Sequence, residues 1–419
     1  MDTVRLDRDV RRTVAPNGVT VMTERVAAVR SVAVGVWVRS ASAHEARAQM
    51  GISHLLEHMV FKGTERRSAR EIALALESRG GALDAYTSRD TTAFQARVLD
   101  RDLPRAIDVL TDVVRRPALR ESDLELERNV ILEEINTVLD TPDDLVFDLS
   151  AEAMWPAHPY GYTILGTRES VVAMTAADLR ERHGAAYGPA NCVIAAAGNL
   201  EHEALLELLA REGWFDATGP GTPPPLATVP AAVRGVEVRH ARDSAQVHLV
   251  FATDTIPFAD PGRYAVMVVS NVLGGGMSSR LFQRVREELG LAYSVFSFTS
   301  FLQGTGLTGV YVGTQPRTAP RAVEAIKAEL ARLAREGLRG AELAEAKEQT
   351  QGQLMLGLES PTARMYRLAS CAVYDDPYRS LDEMLARVAG LSEEDVARAA
   401  AEYFTPDRQT LVWLGPTAA

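Results

Sequence analysis

Short apolar stretches of strand character, set between polar turns and helical segments, recur in the same order in both halves of the chain. The first half opens on Ser31-Val32-Ala33-Val34-Gly35-Val36-Trp37-Val38, the second on Ala245-Gln246-Val247-His248-Leu249-Val250-Phe251. Each is followed by a helical segment and a second strand region, Thr92 to Leu99 in one half and Leu307 to Val312 in the other. A matching helix start comes next, Asp102-Leu103-Pro104-Arg105-Ala106-Ile107 against Thr318-Ala319-Pro320-Arg321-Ala322-Val323. Later, His158-Pro159-Tyr160 answers Asp376-Pro377-Tyr378, and the apolar runs Cys192 to Ala197 and Leu411 to Leu414 close the two halves. The order predicts two copies of one α+β domain, each a mostly antiparallel sheet packed with helices.

Between the copies lies a stretch too rich in Pro and Gly for regular structure, residues 217–230, with Pro223-Pro224-Pro225 favouring an extended spacer. The domains expected are therefore 1–216 and 231–419. Only the first carries chemistry on its opening helix: His54, Glu57 and His58 have no counterpart around residues 264–275.

Composition narrows the function classes. Asp plus Glu is 56 against 45 for Lys plus Arg, a net charge of −11, which argues against nucleic acid as the main partner. No apolar run is long enough to cross a membrane. The start of the chain lacks the apolar core of a secretory signal, and Asp2, Asp7 and Asp9 argue against a mitochondrial presequence. Cys192 and Cys371 sit among apolar residues and read as small buried side chains in a reducing compartment. A cytoplasmic protein is expected.

The segment Gly51 to Gly63 reads as a helix ending on a glycine cap. On it, His54 and His58 are four apart and share a face, so two imidazoles can meet one metal ion, with Glu57 flanking them. Two imidazoles suit zinc, and manganese or cobalt accept the same ligands. A catalytic site needs a third protein ligand and an open position for water, whose proton a neighbouring carboxylate such as Glu57 can take. His pairs of this spacing also occur on helices that bind nothing. The third ligand is sought on the acidic helix Glu125 to Ile135, where Glu127 and Glu134 lie two turns apart on one face and Glu133 points about 100° away. A solvated acidic face is the plainer reading of such a run. Gly274-Gly275-Gly276 lacks a following Gly-Lys-Ser/Thr and reads as a turn, not a phosphate cradle.

With His54-Leu55-Leu56-Glu57-His58, the further segments Phe61-Lys62-Gly63-Thr64, Gly80-Gly81, Ala85-Tyr86-Thr87-Ser88, Glu127 to Ile135, His158-Pro159-Tyr160-Gly161 and Ala197-Gly198-Asn199 carry a resemblance over nearly the whole chain. The chain resembles the pitrilysin family of inverted-motif zinc peptidases, the group of insulin-degrading enzyme and the mitochondrial processing peptidase. It is most similar to the short bacterial two-domain members. The resemblance implies one zinc ion per chain, held by His54, His58 and Glu134, with Glu57 as base and Glu127 beside the site, orienting a ligand. It implies an Arg and a Tyr contacting substrate from the second half: Arg286 and Tyr293, with Arg284 the competing arginine. It also implies that an edge strand through Asp84, Ala85 and Tyr86 pairs with an extended peptide, Asp84 standing where the family has Asn. A peptide or unfolded polypeptide is then the substrate, and a homodimer or a heterodimer with a homologue the working assembly. The alternative is a non-catalytic partner subunit, which members that have lost part of the motif become.

Overall fold

The computed structural model describes residues 1–216 and 226–416, so most of the linker read at 217–230 lies outside the described residues. The first sheet comprises β1 (Asp2–Arg5), β2 (Val10–Val14), β3 (Thr20–Arg25), β4 (Ser31–Val38), β5 (Ala82–Thr87), β6 (Thr92–Leu99) and β7 (Cys192–Gly198). The second comprises β8 (Glu237–Ala241), β9 (Val247–Thr255), β10 (Ala292–Phe301), β11 (Gly306–Thr314) and β12 (Thr410–Gly415). Their orders are β1-β2-β3-β7-β4-β6-β5 and β10-β11-β9-β12-β8. Read from β3 and from β8, the two orders are the same. Each has one parallel pair, β3 with β7 and β8 with β12, and all other pairs are antiparallel. The duplicated α+β architecture expected from the sequence is present.

β4 and β6 have the expected bounds, because both are near-continuous apolar runs with polar ends. β9 runs past the expected Phe251 to Thr255, although Thr253, Asp254 and Thr255 are polar and buried. The carboxylate of Asp254 accepts from Arg234 at 2.8 and 2.6 Å and from Arg408 at 3.2 Å, so it is buried with partners.

Packing forms two compact units that interleave along the chain. One is Met1–Ile135, Thr163–Ala227 and Gly357–Tyr378; the other is Asn136–Tyr162, Thr228–Leu356 and Arg379–Ala419. Each thus takes a helical segment from beyond the linker. In the first unit, Val32, Val34, Val36 and Val38 of β4 face a core with the helices Ile52–Val60, Ala69–Glu77 and Leu103–Arg115. Ala33 and Trp37 face the opposite way, towards Met365, Leu368 and Ala372 of the helix Pro361–Val373. A strand covered on both faces needs no polar alternation, which is why β4 reads as a continuous apolar run.

In the second unit, Val247, Leu249 and Phe251 of β9 enter the core formed with the helices Arg263–Gly274, Ala319–Glu336 and Glu393–Tyr403. On the other face of β9, His248 shares a 2.9 Å hydrogen bond with the Tyr311 hydroxyl. The Tyr311 ring stacks 5.6 Å from Phe147 of the helix Pro142–Met154. Among the described residues no helix is long and apolar enough to cross a membrane.

Candidate active site

The site is built on the helix Ile52–Val60, whose Leu55, Leu56, Met59 and Val60 are fully buried. It starts at Gly51, with φ +90°, where a Cβ would come within 2.6 Å of the Leu165 carbonyl oxygen. Glu45 serves as the cap: its two oxygens accept from the backbone N–H groups of Gly51 and Ser53, both at 2.8 Å. Burial raises the Glu45 pKa, and the N–H donors and Arg182 work against that rise. Arg182 in turn donates to the Ser53 hydroxyl and to the carbonyls of Ala41 and His44. The helix is shorter than the expected span to Gly63. It stops at Val60, and Gly63, with φ +132°, forms a β-bridge with Ser68 instead of capping it.

His54 and His58 present their rings 4.6 Å apart. Nε2 of His54 lies 3.7 Å from one Glu134 oxygen, and Nε2 of His58 lies 3.7 Å from the other. These contacts are too long for hydrogen bonds. Tetrahedral ligands 2.0–2.1 Å from zinc sit about 3.4 Å from one another, so the spacing suits a shared ion. The three ligand atoms lie within 4.8 Å of one another, the only such group among the described residues. Two imidazoles and a carboxylate are the donor set of a catalytic zinc site, and the residues fit the metal. Glu133, one position before Glu134, is outside the group.

The two imidazoles differ in their electrostatic surroundings. Burial, reinforced by the nearby His58, pushes the His54 pKa down to about 3, which keeps its imidazole neutral and free to ligate. Burial also opposes charge on His58, but the hydrogen bond to Glu127 and the charges of Glu134 and Glu57 outweigh it and raise its pKa. The carboxylates that favour a proton there would also attract a metal cation, which that proton opposes because a ligating imidazole must be neutral. Glu127 is buried, with one oxygen 2.9 Å from His58 Nδ1 and the other 2.5 Å from Lys62 Nζ. Burial raises its pKa, yet those two partners bring it below the usual range.

Glu57 is not one of the three grouped residues, though its charge interacts with His58 and Glu134. Its carboxyl is buried, which raises its pKa, and Oε2 accepts from the Thr87 hydroxyl at 2.6 Å, which acts the other way. A carboxylate with an elevated pKa beside a metal position can hold and return a proton.

β5 is the edge of its sheet, paired with β6 alone. Asp84 is exposed on it, and its carboxylate accepts from the Ala85 N–H at 2.9 Å. Tyr86 turns to the opposite face from Ala85, and its hydroxyl accepts from Trp37 Nε1 at 3.1 Å. In the second unit the guanidinium of Arg286 lies over the rings of Phe282, at 4.6 Å, and Tyr293, at 4.9 Å. Arg284 instead pairs with Glu288 at 2.6 Å on an exposed surface. Arg286 and Tyr293 are therefore together and Arg284 is apart. Both arginines belong to a π-helical turn, Phe282–Glu288.

Sequence reasoning assigned no role to Thr87, Lys62 or Glu45. The first two lie inside segments that carried the resemblance, so the signal was present without a stated partner.

Residues 20–168 match the family described as insulinase (peptidase family M16), and residues 173–350 match the peptidase M16 inactive domain. An uncharacterized zinc protease of Streptomyces coelicolor is 40% identical over 97% of this chain and 90% of its own length. Another, from Bacillus subtilis, is 37% identical over 95% and 96%. Among solved structures, the fold is shared with a peptidase M16 inactive domain protein of Pseudomonas fluorescens, at TM-score 0.90, 23% identity and coverage of 98% and 99%. It is shared too with a protease from Helicobacter pylori, at TM-score 0.89, 23% identity and coverage of 97% and 99%. Matches along both halves and 37–40% identity, over nearly the full length, to relatives named uncharacterized zinc proteases agree with the His54–His58–Glu134 arrangement: the chain belongs to peptidase family M16.

Proposed function

We propose that the protein is a zinc-dependent endopeptidase that cleaves peptides or unfolded polypeptide segments. The observation that carries this reading is the convergence of His54, His58 and Glu134 on one point, with the buried Glu57 carboxyl on the same helix. His54, His58 and Glu134 hold the metal, and Glu127 orients His58 through Nδ1. When bound, zinc supplies a Lewis acid for the scissile carbonyl and lowers the pKa of water. Glu57 takes the proton of the attacking water and delivers it to the departing amine.

The free edge of β5 offers backbone N–H and C=O groups to an extended chain, a mode that requires the substrate to be unfolded locally. Asp84, Ala85 and Tyr86 are the contacts proposed there. Arg286 with Tyr293 is proposed as the second-half contact, offering a cation and a phenol donor. A second copy or an inactive homologue is proposed as partner, and activity that falls on dilution would support it.

A non-catalytic subunit is the competing reading. The intact set of His54, Glu57, His58 and Glu134 favours the enzyme. The decisive experiment is cleavage of a quenched, unstructured peptide by wild type and Glu57→Gln. Loss of activity in a variant that keeps stoichiometric zinc supports the peptidase. Zinc-loaded wild type that cleaves none of a varied peptide set, alone or mixed with a homologue, sinks it.

A further inference from the structure

The hydrogen bond from Thr87 to Glu57 joins the substrate-facing edge strand to the residue that handles the proton. Thr87 is the last residue of β5 and pairs with Thr92 of β6. Beyond it the chain turns tightly: Ser88 N–H donates to the Thr91 carbonyl at 2.8 Å, and the Ser88 hydroxyl donates to the same oxygen at 2.9 Å. The turn is anchored from outside as well, since Ala43 N–H donates to the Arg89 carbonyl at 2.8 Å. Strand pairing and turn together fix the Cα of Thr87. Alternation along the strand then sends its side chain to the face of Leu83 and Ala85, which pack on the core containing the helix Ile52–Val60.

Glu57 depends on that hydroxyl. No ion pair holds its carboxylate among the described residues; its charged neighbours are His58, which favours its charge, and two further carboxylates, Glu134 and Asp84, which oppose it. A carboxylate swings about its last torsion with a broad preference. The 2.6 Å bond from Thr87 removes that freedom by occupying Oε2. Oε1 is then the basic oxygen.

We propose that Thr87 is a positioning residue for the base: it holds Glu57 with Oε2 engaged and Oε1 presented to the attacking water, and so ties proton transfer to the strand that binds substrate. The proposal rests on the metallopeptidase reading above. In the step it serves, the water oxygen forms the new bond to the carbonyl carbon while its proton passes to Oε1. That proton moves to the amide nitrogen as the C–N bond breaks, giving one carboxyl and one amine terminus per water consumed.

Thr87→Val keeps the β-branched shape that suits a strand and removes only the hydroxyl. Thr87→Ser restores a hydroxyl on a smaller side chain. With the quenched peptide, Thr87→Val is expected to lower kcat by about 10- to 100-fold, with KM and zinc per chain unchanged. Thr87→Ser is expected to recover most of the loss. A kcat for Thr87→Val equal to wild type, a defect confined to KM, or no recovery with Ser would overturn the proposal.

If wild type cleaves nothing, the peptidase reading fails by itself, and crystal structures of wild type and Thr87→Val decide the positioning claim. A Glu57 carboxylate turned away from its wild-type orientation in Thr87→Val supports it. An unmoved carboxylate overturns it.

Discussion

Lys62 Nζ stands 2.5 Å from the Glu127 oxygen that His58 does not use. The ammonium pins a buried carboxylate, and that carboxylate in turn aims the imidazole whose Nε2 faces Glu134. Partners at this remove from a metal are worth about 10- to 100-fold in affinity or activity. Lys62→Met should therefore weaken zinc binding by about 10-fold, read by competition with a chromophoric chelator. An affinity equal to wild type would show that Glu127 needs no counter-charge.

Zinc should also stabilise the fold. A ligand that binds only the native state at 100 times its Kd contributes about 2.7 kcal/mol. Thermal unfolding with excess zinc should begin at higher temperature than in chelator. Glu134→Ala should abolish the difference, since it removes the carboxylate lying 3.7 Å from both imidazoles.

Gly51 should tolerate no side chain. Its φ of +90° and the 2.6 Å approach to the Leu165 carbonyl act against Ala together. The backbone conformation alone costs about 1–3 kcal/mol in a non-glycine residue. Gly51→Ala should lower stability to denaturant by at least that amount and reduce zinc content, because the helix carrying His54 begins there.

His44 gives the fold an acid limit. Burial, aided by Arg182, takes its pKa from the ordinary 6.5 down to about 4. The native state thus prefers the neutral ring, so this contribution is complete above pH 6.5 and is lost as pH falls towards 4. At about 1.36 kcal/mol per pKa unit the ceiling is on the order of 3 kcal/mol, before solvent screening reduces it. Measured in chelator, the stability lost between pH 7 and pH 4.5 should be smaller for His44→Gln than for wild type. Equal losses would place the acid sensitivity elsewhere; Glu45 would not be the source, since its raised pKa makes protonation favour the native state.

Much of this was legible because it is local. The His54–His58 pair needs only helical spacing, and β4 and β6 need only the contrast between apolar runs and their polar ends. Glu134 required a second helix and was separable from Glu127 only through resemblance. The structure supplies the physical difference: Glu127 is buried against Lys62 and His58 Nδ1, whereas Glu134 faces both Nε2 atoms. What could not be read is what tertiary packing alone creates. Thr87 meets Glu57, and Glu45 caps a helix it precedes by several residues, through contacts with no periodic signature. The interleaving of the two units was likewise invisible. The helix Pro361–Val373 is apolar on the side it buries whichever sheet receives it.

That interleaving bears on how the polypeptide is made. Strands β3, β4 and β7 have all been synthesised by Gly198, but the helix that covers Ala33, Trp37 and Ala195 ends only at Val373. At about 5–20 residues per second, that face waits uncovered for on the order of ten seconds. A gene divided between the two halves would make the exposure permanent in the first fragment. The amino-terminal sheet thus completes its apolar packing only late in synthesis, when the helix ending at Val373 is made.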